Sequence, residues 1–287
     1  MAMRPKKKTE ELKMKIFNLG IKVAAAVGLT ALISVSAMAA GITDTKHNLS
    51  STQTSANASF DGTAEICVFC HTPHGAQSEA PLWNRVVGVA SDYTAYSSTT
   101  LDGTVSLTGS PSLACLSCHD GQQAMNTVIN ATSSATSYNY TAGGAAMSGT
   151  WSGAGALGII IGTENTVPNL GTDLQNDHPV AIPYAGGGLS TSSPTTFAFA
   201  DPDFRDPSTG NIGSQNVWWL EFDPTNSAGT ADTTGGIRTK SDIILYTRGG
   251  TGYVECATCH DPHSENQQFL RAANNDGSQV CLACHVK

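Results

Sequence analysis

Four C-x-x-C-H stretches constrain this chain more than any other feature. They are C-V-F-C-H at 67–71, C-L-S-C-H at 115–119, C-A-T-C-H at 256–260 and C-L-A-C-H at 281–285. Together they use all eight cysteines (Cys67, Cys70, Cys115, Cys118, Cys256, Cys259, Cys281 and Cys284) and four of the eight histidines. With so few histidines in 287 positions, four such coincidences have a chance probability of about one in a million, which makes the pattern a strong signature. Two thiols two residues apart reach neighbouring vinyl groups on one porphyrin edge, and the histidine behind them turns beneath the ring to the iron. Structural zinc also uses C-x-x-C pairs, but it does not need a histidine after every second cysteine. The spacing therefore predicts four covalently attached haem c groups, with His71, His119, His260 and His285 as proximal iron ligands.

Eight cysteines in an exported chain would ordinarily suggest four disulfides; the motif spacing argues otherwise. Export itself is read from the first forty residues. Lys6, Lys7, Lys8, Lys13, Lys15 and Lys22 lead into an apolar run from Val23 to Val35 that ends at Ala37-Met38-Ala39. That order predicts a signal peptide over 1–39, with Met14 as a tidier start. An uncleaved anchor is the competing reading, and the apolar run is short for a membrane span. The leader holds seven of the 15 Lys+Arg and two of the 23 Asp+Glu, leaving 8 basic and 21 acidic residues, a formal charge of −13. Such a surface excludes nucleic acid and anionic lipid as expected partners, and no later stretch predicts stable membrane insertion.

Four histidines remain: His47, His74, His178 and His263. Four irons with one vacant axial position each and four spare histidines make bis-histidine ligation the economical expectation. His74 lies three residues after His71, so their Cα atoms are at most ~10 Å apart. A link that short cannot pass around a porphyrin, so His74 must serve a different haem from His71, and His263 a different one from His260. Nothing in the spacing says which haem His47 or His178 reaches.

An order recurs along the chain. K-H-N-L, C-V-F-C-H-T-P-H and C-L-S-C-H are followed, later, by D-H-P-V, C-A-T-C-H-D-P-H and C-L-A-C-H. This suggests two di-haem modules, 40–120 and 170–287, inside one tetrahaem domain over 40–287. The segment between them is rich in Gly, Ser and Thr, which reads as linker or exposed, glycosylated loop. Trp151, Trp218, Trp219, G-I-I-I-G at 158–162 and D-I-I-L-Y at 242–246 instead offer short strands and packing groups. The expected fold class is a coil-rich multihaem c-type cytochrome. It has few short helices, single turns after the haem motifs, short strands, and a core built largely from stacked haems.

Bis-histidine iron has no position free for substrate, so the expected function is electron transfer and not an enzymatic one. The number and order of the motifs, with the leader, K-H-N-L and D-H-P-V, resemble the tetrahaem c-type cytochromes that polymerise into extracellular nanofilaments in metal-reducing bacteria. That resemblance implies a coil-rich subunit, bis-histidine haems stacked through a filament, and secretion to the cell surface. It also implies a head-to-tail homopolymer in which one histidine per subunit ligates a haem of the next; by the motif this is His74. The last haem motif ends two residues before the final residue, which fits terminal haems at opposite ends of a subunit and an open polymer. A monomeric periplasmic tetrahaem shuttle is the alternative, in which His74 serves its own subunit. A multihaem reductase would need a five-coordinate iron. Redox partner proteins or extracellular acceptors are expected on any of these readings.

Overall fold

A computed structural model of the chain describes residues 41–53, 58–78, 80–132, 138–153, 158–160, 169–222, 238–272 and 278–286. The expected signal peptide, 1–39, lies outside the described residues. Gly41–Lys287 forms one compact unit.

In chain order the elements are β1 (Ser59–Phe60), α1 (Ser112–His119), β2 (Thr127–Thr132), β3 (Tyr138–Ala146), β4 (Trp151–Ser152), β5 (Ile182–Pro183), β6 (Ser208–Ile212), β7 (Gln215–Leu220), β8 (Ile243–Arg248), β9 (Thr251–Val254), α2 (Cys256–Cys259) and α3 (Gln279–Leu282). Most of the described chain is irregular, in keeping with a coil-rich cytochrome. β2 and β3 form an antiparallel hairpin, and β1 pairs with β4. The largest sheet runs β5-β9-β8-β7-β6, antiparallel throughout.

Its hairpins form because of their turn residues. Ile212 pairs with Gln215 across Gly213-Ser214, and Arg248 with Thr251 across Gly249-Gly250. All four turn residues have positive φ, the backbone that two-residue hairpins need to match strand twist. β7 lies between two neighbours with Trp218, Trp219 and Leu220 all buried, which is the mark of a strand covered on both faces. The stretch between the second and third motifs supplies every described strand except β1, separated by irregular segments.

Two expectations need adjustment. The helical turns sit on the haem motifs and not after them, because His71 N–H returns to Cys67 O, His260 N–H to Cys256 O and His285 N–H to Cys281 O. In G-I-I-I-G, the described residues 158–160 form no strand; Ile160 is instead a packing group beside Phe60 and Trp151. D-I-I-L-Y does become a strand, β8.

Three apolar clusters hold the unit together, and each takes residues from a haem motif. Val68 and Phe69 join Phe60, Val128, Met147 and Trp151. Leu116 joins Tyr93, Leu107 and Leu174, while Ala283 joins Tyr184, Trp218 and Ile243. Residues between the paired cysteines therefore face inward. Burial of side chains such as Val68, Phe69 and Leu116 contributes roughly 1.5–3 kcal/mol each, while the cysteines of the turns stay half-buried or exposed.

Candidate haem sites

Each motif is helical, a single turn at the first, third and fourth and the end of α1 at the second, with two chemically distinct faces. In 67–71 the inward residues Val68 and Phe69 are buried, while Cys67 is exposed. In 256–260 Thr258 is fully buried and His260 is exposed. No disulfide joins any of the eight cysteines. Among the described residues, no group of three or more His, Cys, Asp or Glu side chains converges as an ion-sized cage. Each turn instead offers two thiols and one imidazole side by side, the donor set for a large planar group attached along one edge.

Five imidazoles direct Nδ1 at an oxygen. His71 Nδ1 donates to Pro81 O at 3.0 Å, and His260 Nδ1 to Gln268 O at 2.8 Å. His47 Nδ1 donates to Pro262 O at 3.3 Å, His178 Nδ1 to Pro179 O at 3.0 Å, and His263 Nδ1 to an Asp261 oxygen at 3.2 Å. A carbonyl or carboxylate oxygen only accepts, so Nδ1 carries a proton and Nε2 is the nitrogen left to face a further partner. That is the orientation by which a second partner prepares a histidine for a metal. Burial, and after it the neighbouring His119, lowers His47 to about 4, which keeps its ring neutral.

Two ring pairs have a spacing with a direct chemical meaning. The His71 and His263 centroids are 6.2 Å apart with planes 12° from parallel. His47 and His119 are also 6.2 Å apart, with planes at 86°. Two imidazoles on opposite sides of one metal, at bonds of about 2 Å, place their ring centroids roughly 6 Å apart. The His263 ring thus lies near that of His71 at a separation compatible with two ligands of one metal. The segment carrying His47 packs on the same loop: Gly41 approaches His263 O so closely that an added Cβ would lie 2.6 Å from it.

The four turns are neighbours in chain order. Cys70 and Cys118 both pack against the first apolar cluster; burial, and after it Cys118, raises the Cys70 thiol to about 12. Cys115 and Cys256 hydrogen-bond to one another, and that bond is the largest influence lowering Cys256. Burial, then Cys256 and Cys281, raises Cys259 to about 11. The first and second turns meet through one cluster, the second and third through a hydrogen bond, and Cys281 of the fourth lies within electrostatic range of Cys259 of the third.

Further details suit a porphyrin. The Trp83 indole Nε1 is buried without a hydrogen-bond partner beside the His71 ring, 6.1 Å between centroids. A donor so placed fits an acceptor-bearing group lying against that ring. A 350 Å³ cleft lined by Cys67, His71, Thr72, Asn84 and Asn130 adjoins it. His74 and His178 are not buried, and the His285 ring lies 4.3 Å from Phe204.

Sequence reasoning missed the groups around the turns. Glu255, buried directly before Cys256, accepts from Ser110 Oγ at 2.5 Å, Ser112 Oγ at 2.6 Å and Arg248 Nη1 at 2.7 Å. Arg85 is fully buried between the first two motifs, donating to Ser117 O, Met125 O, Thr127 O and Ala124 O. No local pattern marks either residue, since most of their partners lie far away in the chain.

Among the described residues, no helix is long and apolar enough to cross a membrane. No curated protein matches the chain. A family model described as a doubled CXXCH motif matches residues 250–287, the third and fourth turns with their approach; this likeness supports covalent haem c binding of the multihaem cytochrome type, and with it electron transfer.

Proposed function

We propose that the mature chain is an electron-transfer protein with four bis-histidine haem c groups, one at each C-x-x-C-H turn. The observation that carries this reading is the pair of 6.2 Å imidazole couples, His71 with His263 and His47 with His119. Each joins a motif histidine to a spare one. When bound, the groups supply one-electron chemistry at iron. The chain supplies thiols for attachment, Nε2 lone pairs for the two axial positions, and carbonyls that hold the Nδ1 protons. His178 and His74 are left for the irons of His260 and His285. The order in which the turns neighbour one another favours a single electron path from first to fourth. Full occupation of the axial positions is why we read the protein as a carrier and not an enzyme.

We further propose that the protein is the subunit of an extracellular homopolymer in which His74 ligates a haem of the next copy. His74 is exposed, no described residue hydrogen-bonds its ring, and yet its main chain is pinned. Thr72 Oγ1 donates to His74 O at 3.1 Å and Asn130 Nδ2 at 2.6 Å. A ring free of local partners on a fixed backbone suits a ligand lent outward. The experiment is His74→Ala with electron microscopy of the haem-positive fraction sheared from cells. The expected result is four covalent haems per chain and no fibres. Normal fibres from the variant refute the lending role. Discrete wild-type particles of about 30 kDa, the mass set by the composition, favour the periplasmic shuttle instead.

A further inference from the structure

Three four-residue straps hold three of the haem turns by the same set of bonds. At the first turn the strap is P-L-W-N, 81–84. Thr72 N–H donates to Leu82 O at 2.7 Å, His71 and Trp83 form a bridge, and Asn84 N–H donates to Cys70 O at 2.9 Å. At the third turn it is Q-F-L-R, 268–271. Asp261 N–H donates to Phe269 O at 2.7 Å, His260 bridges to Leu270, and Arg271 N–H donates to Cys259 O at 2.8 Å. At the fourth it is P-D-F-R, 202–205. Val286 N–H donates to Asp203 O at 2.8 Å, His285 bridges to Phe204, and Arg205 N–H donates to Cys284 O at 2.8 Å.

The last residue of each strap adds a second prong. Asn84 Nδ2 donates to Val68 O at 2.7 Å, Arg271 Nε to Ala257 O at 2.9 Å and Arg205 Nε to Leu282 O at 2.8 Å. In every case the acceptor is the carbonyl of the residue just after the first cysteine. A single helical turn leaves its last carbonyls without intrahelical partners, and a buried carbonyl left unpaired is costly. The fourth residue satisfies that carbonyl while its own N–H ties down the second cysteine. The second motif, inside the longer α1, has a related bond from Arg85 Nη2 to Ser117 O at 2.8 Å.

Shared local sequence does not explain the pattern. Two straps come after their turns in the chain, while the third precedes its turn by most of the sheet. Three routes converge on one geometry, which points to a requirement of the turn itself. The straps also reach the ligand: Pro81 O and Gln268 O are the acceptors that fix His71 and His260.

We propose that Asn84, Arg271 and Arg205 are positioning residues, two-pronged clamps that hold the first, third and fourth turns in the geometry that presents their histidines to iron. This rests on the four-haem reading above. The test uses Arg271→Ala and Arg271→Asn in the full-length, haem-loaded protein. Both remove the guanidinium charge, so the difference between them isolates the hydrogen bond that Asn84 already makes at the first turn. The measurements are haem per chain, a potentiometric titration with optical detection, and ferric electron paramagnetic resonance.

Both variants are expected to keep four haems. Relative to R271N, R271A should shift one of the four steps by roughly tenfold in oxidised-to-reduced ratio at fixed potential, about 59 mV for a one-electron couple. R271N should retain the wild-type resonance signals, and R271A should change those of one haem. Superimposable titrations and spectra from the two variants overturn the clamp. If R271A does not accumulate, R271N decides alone: a wild-type spectrum supports the clamp, and failure to accumulate overturns it. Fewer than four haems on the wild-type chain overturn the four-haem reading and the proposal with it.

Discussion

The stretches C-V-F-C-H-T-P-H and C-A-T-C-H-D-P-H share one backbone frame and differ in the residue directly behind the motif histidine. In the first, Thr72 hydrogen-bonds the main chain of His74, Asn130 joins it, and the His74 ring is left without a local partner. In the second, Asp261 accepts from both the backbone and Nδ1 of His263, at 3.0 Å and 3.2 Å. Burial opposes ionisation of Asp261, yet the His263 N–H and Arg271 hold its carboxyl below the ordinary range. One residue therefore decides whether the second histidine is oriented within the chain. His263 is oriented, with its ring centroid 6.2 Å from that of His71; His74 is anchored by its main chain, and no described residue hydrogen-bonds its ring. The same octapeptide pattern can serve as an internal coupler or an external one.

The comparison can be broken most severely at His263. His263→Ala should leave four attached haems but remove one axial ligand, so that about a quarter of the iron becomes five-coordinate. The optical spectrum would reveal this as a new high-spin fraction, and an unchanged low-spin spectrum would separate His263 from His71. A second contrast is Glu255, which has no counterpart at the first turn, where Ile66 makes no side-chain cap. Glu255→Ala strands Arg248, whose side chain is only 15% exposed, and should destabilise the fold by about 3–5 kcal/mol in denaturant melts. Ile66→Ala should cost far less in the same experiment.

Exchanging the deciding residues sharpens the contrast. Thr72→Asp should draw the His74 ring into a local hydrogen bond worth about 1.5 kcal/mol and shorten or abolish fibres, measured by microscopy. Fibres of normal length would show that the ring's freedom is irrelevant. The smallest effect is expected at Gly75, whose φ of +65° and closeness to the Tyr140 ring, 2.6 Å from an added Cβ, suit only glycine. Gly75→Ala should cost about 1 kcal/mol and show as a small fall in thermal midpoint.

The haem turns were legible because covalent attachment fixes residue types at fixed spacing, so the chemistry is written locally. The coil-rich character was legible from sparse helical periodicity, and β8 from D-I-I-L-Y. The turns themselves were misplaced by a few residues, since a one-turn helix has no periodicity to read. What sequence could not supply was pairing across distance. The approach of His263 to His71, that of His47 to His119, and the straps ending in Asn84, Arg271 and Arg205 are all set by tertiary placement. A lone Asn or Arg in a loop carries no mark of the carbonyl it will meet.

The central claim is that every iron is held by two histidines of the assembly. Intact mass and low-temperature ferric electron paramagnetic resonance on the assembled haem fraction test it most directly. A mass equal to the mature chain plus four haems, with low-spin signals alone, is the expected result. A smaller haem complement, or a high-spin signal from the unmodified protein, would contradict it.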